Sequence, residues 1–136
     1  KGRAGNAIPR DDVRGLVRAL RKGNVVFYLP DQDYGRKHSV FAPFFGIQAA
    51  TVTAVSRIAR MSGCAVLPLF YYGAGDGTYD LVVGEPFENF PGEDLEADAA
   101  RVNAAFEEGV RRAPTQYLWV HRRFKTRPEP GDPKLY

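Results

Sequence analysis

Pro30 is followed by Asp31, Gln32 and Asp33, and then by Arg36, Lys37 and His38. Two carboxylates one residue apart can position donors, and a guanidinium offers a planar fork that matches paired anionic oxygens. The group follows the apolar run 25–29, a place where α/β proteins collect ligand-binding loops at the carboxyl ends of strands. Site chemistry therefore falls on Asp31 and Asp33, either directly or by fixing an arginine that meets an anion. The same residues also fit a turn, because an Asp side chain can accept a backbone N–H two residues on and end a strand.

Other reactive side chains are isolated. His38 would titrate near ~6.5 in free solution and could move a proton, yet no carboxylate follows it at helical spacing. A loop hydrogen bond is the simpler role. His121 lies between Trp119 and Arg122, Arg123, where packing or capping explains it. Cys64, between Gly63 and Ala65, reads as a small core residue, and a single cysteine excludes an intrachain disulfide and fits a reducing compartment. Neither GxGxxG nor GxxxxGK[ST] occurs, and two distant histidines with one cysteine make no metal set, so no cofactor and no metal are expected.

Charge is distributed unevenly although the net value is only +3. Acids gather between Glu85 and Glu108, whereas Arg111, Arg112, Arg122, Arg123, Lys125 and Arg127 form a basic end interleaved with Tyr117, Trp119 and Phe124. Arginine stems and an indole suit a lipid phosphate boundary. They also suit stacking on nucleic acid, but the acidic stretch and modest net charge favour lipid. Phe44 and Phe45, in an aromatic loop, fit either a membrane-facing surface or a lid over the sheet.

The elements that must position these residues follow from periodicity. Asp11 and Asp12 precede Val13, Leu16, Val17 and Leu20, an i, i+3, i+4, i+7 stripe that ends in basic residues and Gly23, which predicts a helix. Residues 25–29 are continuously apolar and read as a strand covered on both faces and closed by Pro30. Residues 31–48 read as a long functional connection. Val52, Val55, Ile58 and Ala59 trace a helix face beginning near Ala50 and ending at Gly63, and residues 65–71 read as a second buried strand. Strand, helix and strand make a right-handed βαβ unit with parallel strands. Asp76-Gly77 predicts a hairpin that adds an antiparallel edge. Acids then open a helix over Leu95–Arg112, and residues 116–124, after Pro114, fit a short helix. The fold class is α/β, a mixed, mostly parallel sheet with flanking helices.

At 136 residues one domain can bury roughly two thirds of its extended surface, enough for a core without staples. Residues 1–127 form the domain, and the proline-rich residues 128–136 read as a flexible tail. The longest apolar runs are far below the ~20 residues that cross a bilayer. The chain starts at Lys1 without a methionine or signal pattern and reads as a piece of a longer protein.

Three ordered blocks, PDQDYGRKHSVFAPFFG, AATVTAVSRIAR and QYLWVHRRFKTRP, resemble the carboxyl-terminal half of the bacterial lipid A biosynthesis acyltransferases, the lauroyl and myristoyl transferase family. The resemblance covers residues 3–128. It implies part of the glycerolipid acyltransferase fold, acyl carrier protein as donor, a Kdo-bearing lipid A precursor as acceptor, and a place at the cytoplasmic face of the inner membrane, with no nucleic acid partner. The family uses HxxxxD or HxxxxE, whose histidine is the general base. Here His38 is followed by Pro43 at the required position and His121 by Thr126, so the resemblance implies an enzyme whose base lies outside this segment, and no catalytic residue within it. It assigns Asp31, Asp33, Arg36 and Arg3 to substrate binding, and Phe44, Phe45, Trp119, Arg122 and Arg123 to membrane or anionic-lipid contact. The alternative is a noncatalytic basic module that binds anionic lipid or nucleic acid.

Overall fold

The computed structural model describes residues 7–9 and 11–136. Helix α1, Val13–Arg21, begins where the Asp12 carboxylate accepts the Gly15 N–H at 2.8 Å. Arg18 and Arg21 occupy its last turn, and Gly23, at φ +81°, leaves the helix as the sequence predicts. The chain then runs without regular structure to Asp33, through a 3₁₀ turn at Arg36–His38, and into strands β1, Ser39–Phe44, and β2, Ile47–Val52. These strands form an antiparallel hairpin in which Phe44 faces Ile47 and Ser39 faces Val52. Phe45 and Gly46 make its two-residue turn at φ 50° and 76°, the left-handed backbone that such turns need.

Helix α2, Ala54–Ser62, ends at Gly63 in the left-handed conformation. Strands β3, Leu69–Gly73, and β4, Tyr79–Val83, pair antiparallel around Asp76-Gly77. The Asp76 carboxylate accepts both the N–H and the hydroxyl of Thr78, which holds its pKa below the ordinary carboxylate value. Helix α3, Leu95–Arg112, starts at Asp94, whose carboxylate takes the Glu96 N–H at 2.8 Å. Acids in its first turn and Arg111, Arg112 in its last complement the helix dipole. Among the described residues no helix is long and apolar enough to cross a membrane.

Four sequence expectations are corrected. The described sheets are two antiparallel pairs, so the mostly parallel sheet and the βαβ pairing are absent, while the α/β class stands. Residues 25–29 have no strand beside them among the described residues, and Val25, Phe27 and Leu29 are 98%, 59% and 53% exposed. An apolar run specifies an extended chain; a remote partner decides whether it becomes a paired strand. Residues 47–52, taken partly into a helix, are strand, because Val52 pairs with Ser39 and the helix starts only after Thr53. The final element is two 3₁₀ turns, Pro114–Gln116 and Trp119–His121, rather than one helix.

Helix α3 is the element on which both hairpins rest. Against the first hairpin it helps close a core of Phe44, Ala49, Val110 and Phe124, with Phe44 and Phe124 rings 5.9 Å apart. Against the second, Phe106 meets Phe70 edge to face at 5.8 Å, and the Tyr72 hydroxyl donates to the Gly109 carbonyl at 3.0 Å. Gly109 lets the helix approach closely there, since a Cβ would overlap the Phe70 ring unless the ring moved.

Candidate functional site

Asp33 is 4% exposed. One carboxylate oxygen accepts the Gly35 N–H at 2.8 Å and the Thr126 hydroxyl at 2.9 Å; the other accepts the Thr126 N–H at 2.9 Å. The residue two positions on is thus capped as a turn, and Gly35 supplies the φ of +79° the bend needs. The same carboxylate ties the loop to a segment at the far end of the chain. Sequence reasoning held the turn and the site as alternatives; geometrically, Asp33 makes the turn and by doing so sets where Asp31 lies.

Asp31 is half-buried and lines an apolar cleft of about 780 Å³. Its negative charge acts on the buried Tyr117 hydroxyl. Burial first, and then the Asp31 charge, raises the Tyr117 pKa to about 12, while Arg123 opposes the shift. Tyr117 is therefore a neutral O–H at physiological pH.

Arg123 is 1% exposed. Its guanidinium donates to the Ala50 carbonyl at 2.7 Å, the Thr51 hydroxyl at 2.9 Å and the Asn103 side-chain carbonyl at 3.2 Å, and it lies 5.3 Å from the centre of the Phe44 ring. Burial lowers its pKa, and Tyr117, Asp33 and Asp31 counter that shift. A buried cation that touches no carboxylate among the described residues is tolerable here because its donated bonds find oxygens and two anions lie within electrostatic reach. Asn103 completes the web by donating to the Pro43 carbonyl at 2.9 Å and the Thr51 hydroxyl at 3.0 Å.

Arg36 is exposed, but its guanidinium is engaged: it donates to the Arg127 and Pro128 carbonyls, each at 2.7 Å, and lies 5.4 Å from the Phe41 ring centre. It secures the carboxyl-terminal segment beside the Asp33–Thr126 tie. Arg3 lies outside the described residues. Among the candidate lipid contacts, Phe44 and Arg123 are corrected, since both are 1% exposed inside the core and meet no surface. Phe45 is half-buried, Arg122 is exposed, and Trp119 is 43% exposed with its indole N–H held by the Pro114 carbonyl at 2.9 Å. Phe45 and Trp119 rings are 6.3 Å apart, and the Arg111 guanidinium sits 4.9 Å from the Phe45 ring centre. Arg111, ion-paired with Glu107 at 2.8 Å, thus adjoins Phe45 and Trp119 in one largely aromatic surface.

Neither His38 nor His121 forms an ion pair with a carboxylate among the described residues. Thr126, Asn103 and Tyr117 were missed as parts of the site. Tyr117 and Thr126 stood in the block QYLWVHRRFKTRP, but their partners lie far away in the chain, and no local spacing points to them.

These features define an α/β fold in which Asp31 and Tyr117 line an apolar cleft, with the buried Arg123 and the Asp33 turn within electrostatic reach of them. The family model for bacterial lipid A biosynthesis acyltransferase matches residues 2–126. The chain is 46% identical over 131 residues to the lipid A biosynthesis lauroyltransferase of Escherichia coli K12, covering 95% of this chain and 42% of that protein. The palmitoleoyltransferase of the same organism is 45% identical over the same shares, and its myristoyltransferase 33% identical over 93% of this chain and 39% of its own length. The chain belongs to the bacterial lipid A biosynthesis acyltransferase family. It spans about two fifths of the length of these relatives.

Proposed function

We propose that the chain is the acceptor-holding part of a lipid A acyltransferase that moves a fatty acyl group from acyl carrier protein to a hydroxyl of a Kdo-bearing lipid A precursor. The observation that carries this reading is the family match across residues 2–126 together with relatives named for acyl transfer. In the reaction the hydroxyl oxygen attacks the thioester carbonyl, the C–O bond forms, the C–S bond breaks, and the hydroxyl proton passes to a base. No HxxxxD or HxxxxE supplies that base within these 136 residues. The base belongs to a portion of polypeptide outside them, and the segment alone is inactive.

Asp33 positions the loop, Asp31 faces the acceptor, and Arg122 with Trp119 and Phe45 meets the anionic headgroup at the cytoplasmic face of the inner membrane. A half-buried carboxylate beside a neutral phenol can accept from an acceptor hydroxyl and orient it. Exposed guanidinium beside aromatic rings suits a phosphorylated glycolipid. The test is transfer by the polypeptide extended upstream, with acyl carrier protein thioester and a Kdo-bearing precursor. Asp31→Asn is expected to lower kcat by roughly 10-fold or more, in the range of a lost positioning group. Unchanged turnover in that variant would remove Asp31 from the site.

A further inference from the structure

Helix α1 carries a row of cations that no ion pair among the described residues neutralises. Arg14, Arg18 and Lys22 stand four residues apart, so they follow one flank of the helix about 5–6 Å from each other, and Arg21 lies beside them. All four are exposed. Like charges at this spacing weaken a helix, and an acid four residues away is the usual relief. Val13–Arg21 contains no acid, the Asp12 carboxylate is engaged by the Gly15 N–H, and neither ion pair among the described residues involves α1. Residues 1–6 and 10 bring no acid to the sequence either.

The helix dipole explains only part of the row. Cations in the last turn face the negative end of the helix, which accounts for Arg18, Arg21 and Lys22. Arg14 sits in the first turn, where the dipole disfavours a cation. The neighbouring α2 extends the field. The Arg21 guanidinium donates to the Met61 carbonyl at 2.6 Å, and Arg57, exposed one turn before Met61, has no acid paired to it among the described residues.

An anionic bilayer and an acidic protein are the two kinds of partner that such a field attracts. A membrane-surface helix turns its apolar face to the acyl chains. In α1 that face is turned inward: Leu16 and Leu20 line the cleft that Asp31 also lines, and after Val13 every exposed residue of the helix is an arginine. The exposed Leu118, Trp119 and Val120 belong to a different element, the turn at Trp119–His121, whose indole adjoins Phe45 of the first hairpin. Charge without an apolar surface suits an acidic protein, whose encounter is steered by complementary potential and weakened by salt.

We infer, in an extension that rests on the proposed function, that Arg14, Arg18, Arg21 and Lys22 of the α1 flank, with Arg57 of α2, dock the acidic carrier protein that delivers the thioester. Docking there places the donor across a single helix, about 10 Å thick, from the cleft that Leu16, Leu20 and Asp31 line. Donor and lipid would then approach through separate surfaces.

The test uses the polypeptide carrying the upstream sequence of its own reading frame, as parent and as the double variant Arg14→Glu, Arg18→Glu, with a dodecanoyl thioester presented on acyl carrier protein or on pantetheine alone. Both changes relieve repulsion at exposed positions, so the urea midpoint should hold or rise. The KM for the carrier-borne thioester should rise roughly 10-fold or more with kcat within about 2-fold, while the pantetheine thioester shows no change. Binding of carrier protein without an acyl group, followed by fluorescence anisotropy, should weaken by the same factor, and binding to anionic vesicles should not change. Unchanged KM and carrier binding in the variant overturn the inference, as does a parent that binds no carrier protein. So does an equal rise in KM for both thioesters, which assigns the effect to the cleft, or loss of vesicle binding with carrier binding intact, which assigns α1 to the membrane. Carrier binding that depends on Arg14 and Arg18 in a polypeptide that transfers no acyl group would count against the proposed function alone.

Discussion

Asp33 commits both carboxylate oxygens to Thr126 and Gly35, whereas Asp31, two residues earlier, faces the cleft. In Asp33→Asn the new amide would meet the Thr126 N–H donor to donor and the charge assistance would vanish, so the variant should lose about 1.5–3 kcal/mol. Asp31→Asn should stay within about 0.5 kcal/mol of the parent. Urea unfolding at constant m-value reads both. Tyr117 carries the pH prediction. Its pKa, raised to about 12 by burial and then by Asp31, exceeds the ordinary value of 10.0 in the unfolded chain. The folded state holds the proton longer, so this contribution is complete below pH ~10 and is lost as pH rises through about 12. Ultraviolet titration should show one late tyrosinate, absent in Tyr117→Phe, whose stability falls less over that window. A Tyr117→Phe curve that follows the parent would refute the assignment.

At the level of elements, α3 and the second hairpin meet through a missing side chain. Gly109→Ala would gain roughly 1 kcal/mol in helix propensity, but overpacking against Phe70 costs about 1–3 kcal/mol and strains the Tyr72–Gly109 bond. A net loss of about 1 kcal/mol is expected, and Phe70→Leu in the same chain should recover part of it; a double-mutant cycle measures the coupling. Helices α1 and α3 were legible because their caps and stripes are local: Asp12 and Gly23 bracket α1, and Asp94 opens α3. The first hairpin was not legible. Pro43 stands inside β1, and the turn places Phe45 at the first positive-φ position ahead of Gly46, so the usual strand and turn signals were incomplete. The Glu107 carboxylate supports that turn from α3 by accepting the Phe45 N–H at 2.7 Å.

Over the whole molecule, Arg111, Arg112, Arg122 and the exposed Leu118, Trp119 and Val120 belong to the carboxyl-terminal third, where the guanidinium of Arg112 also caps the Tyr72 ring at 4.6 Å. The chain should bind vesicles containing anionic lipid, release them as salt shortens the screening length from about 10 Å at 0.1 M to about 3 Å at 1 M, and ignore neutral vesicles. Arg122→Gln should weaken that binding by about 1 kcal/mol, measured by cosedimentation. Stronger competition by single-stranded nucleic acid than by a lipid A precursor would favour the basic-module alternative.

Sequence alone determined the α/β class, the family, the Asp76-Gly77 hairpin, the ends of α1 and α3, and the acidic turn after Pro30. Those features depend on contacts within a few residues or on blocks that can be read in order. Tertiary structure decided that β1 and β2 pair with each other, that residues 25–29 join neither described sheet, and that Phe44 and Arg123 belong to the core. It also decided what Asp33 holds. Strand pairing and the burial of a charge depend on groups remote in sequence, as between Asn103 and Pro43 or Thr126 and Asp33, and no local spacing encodes which of the possible distant partners will arrive.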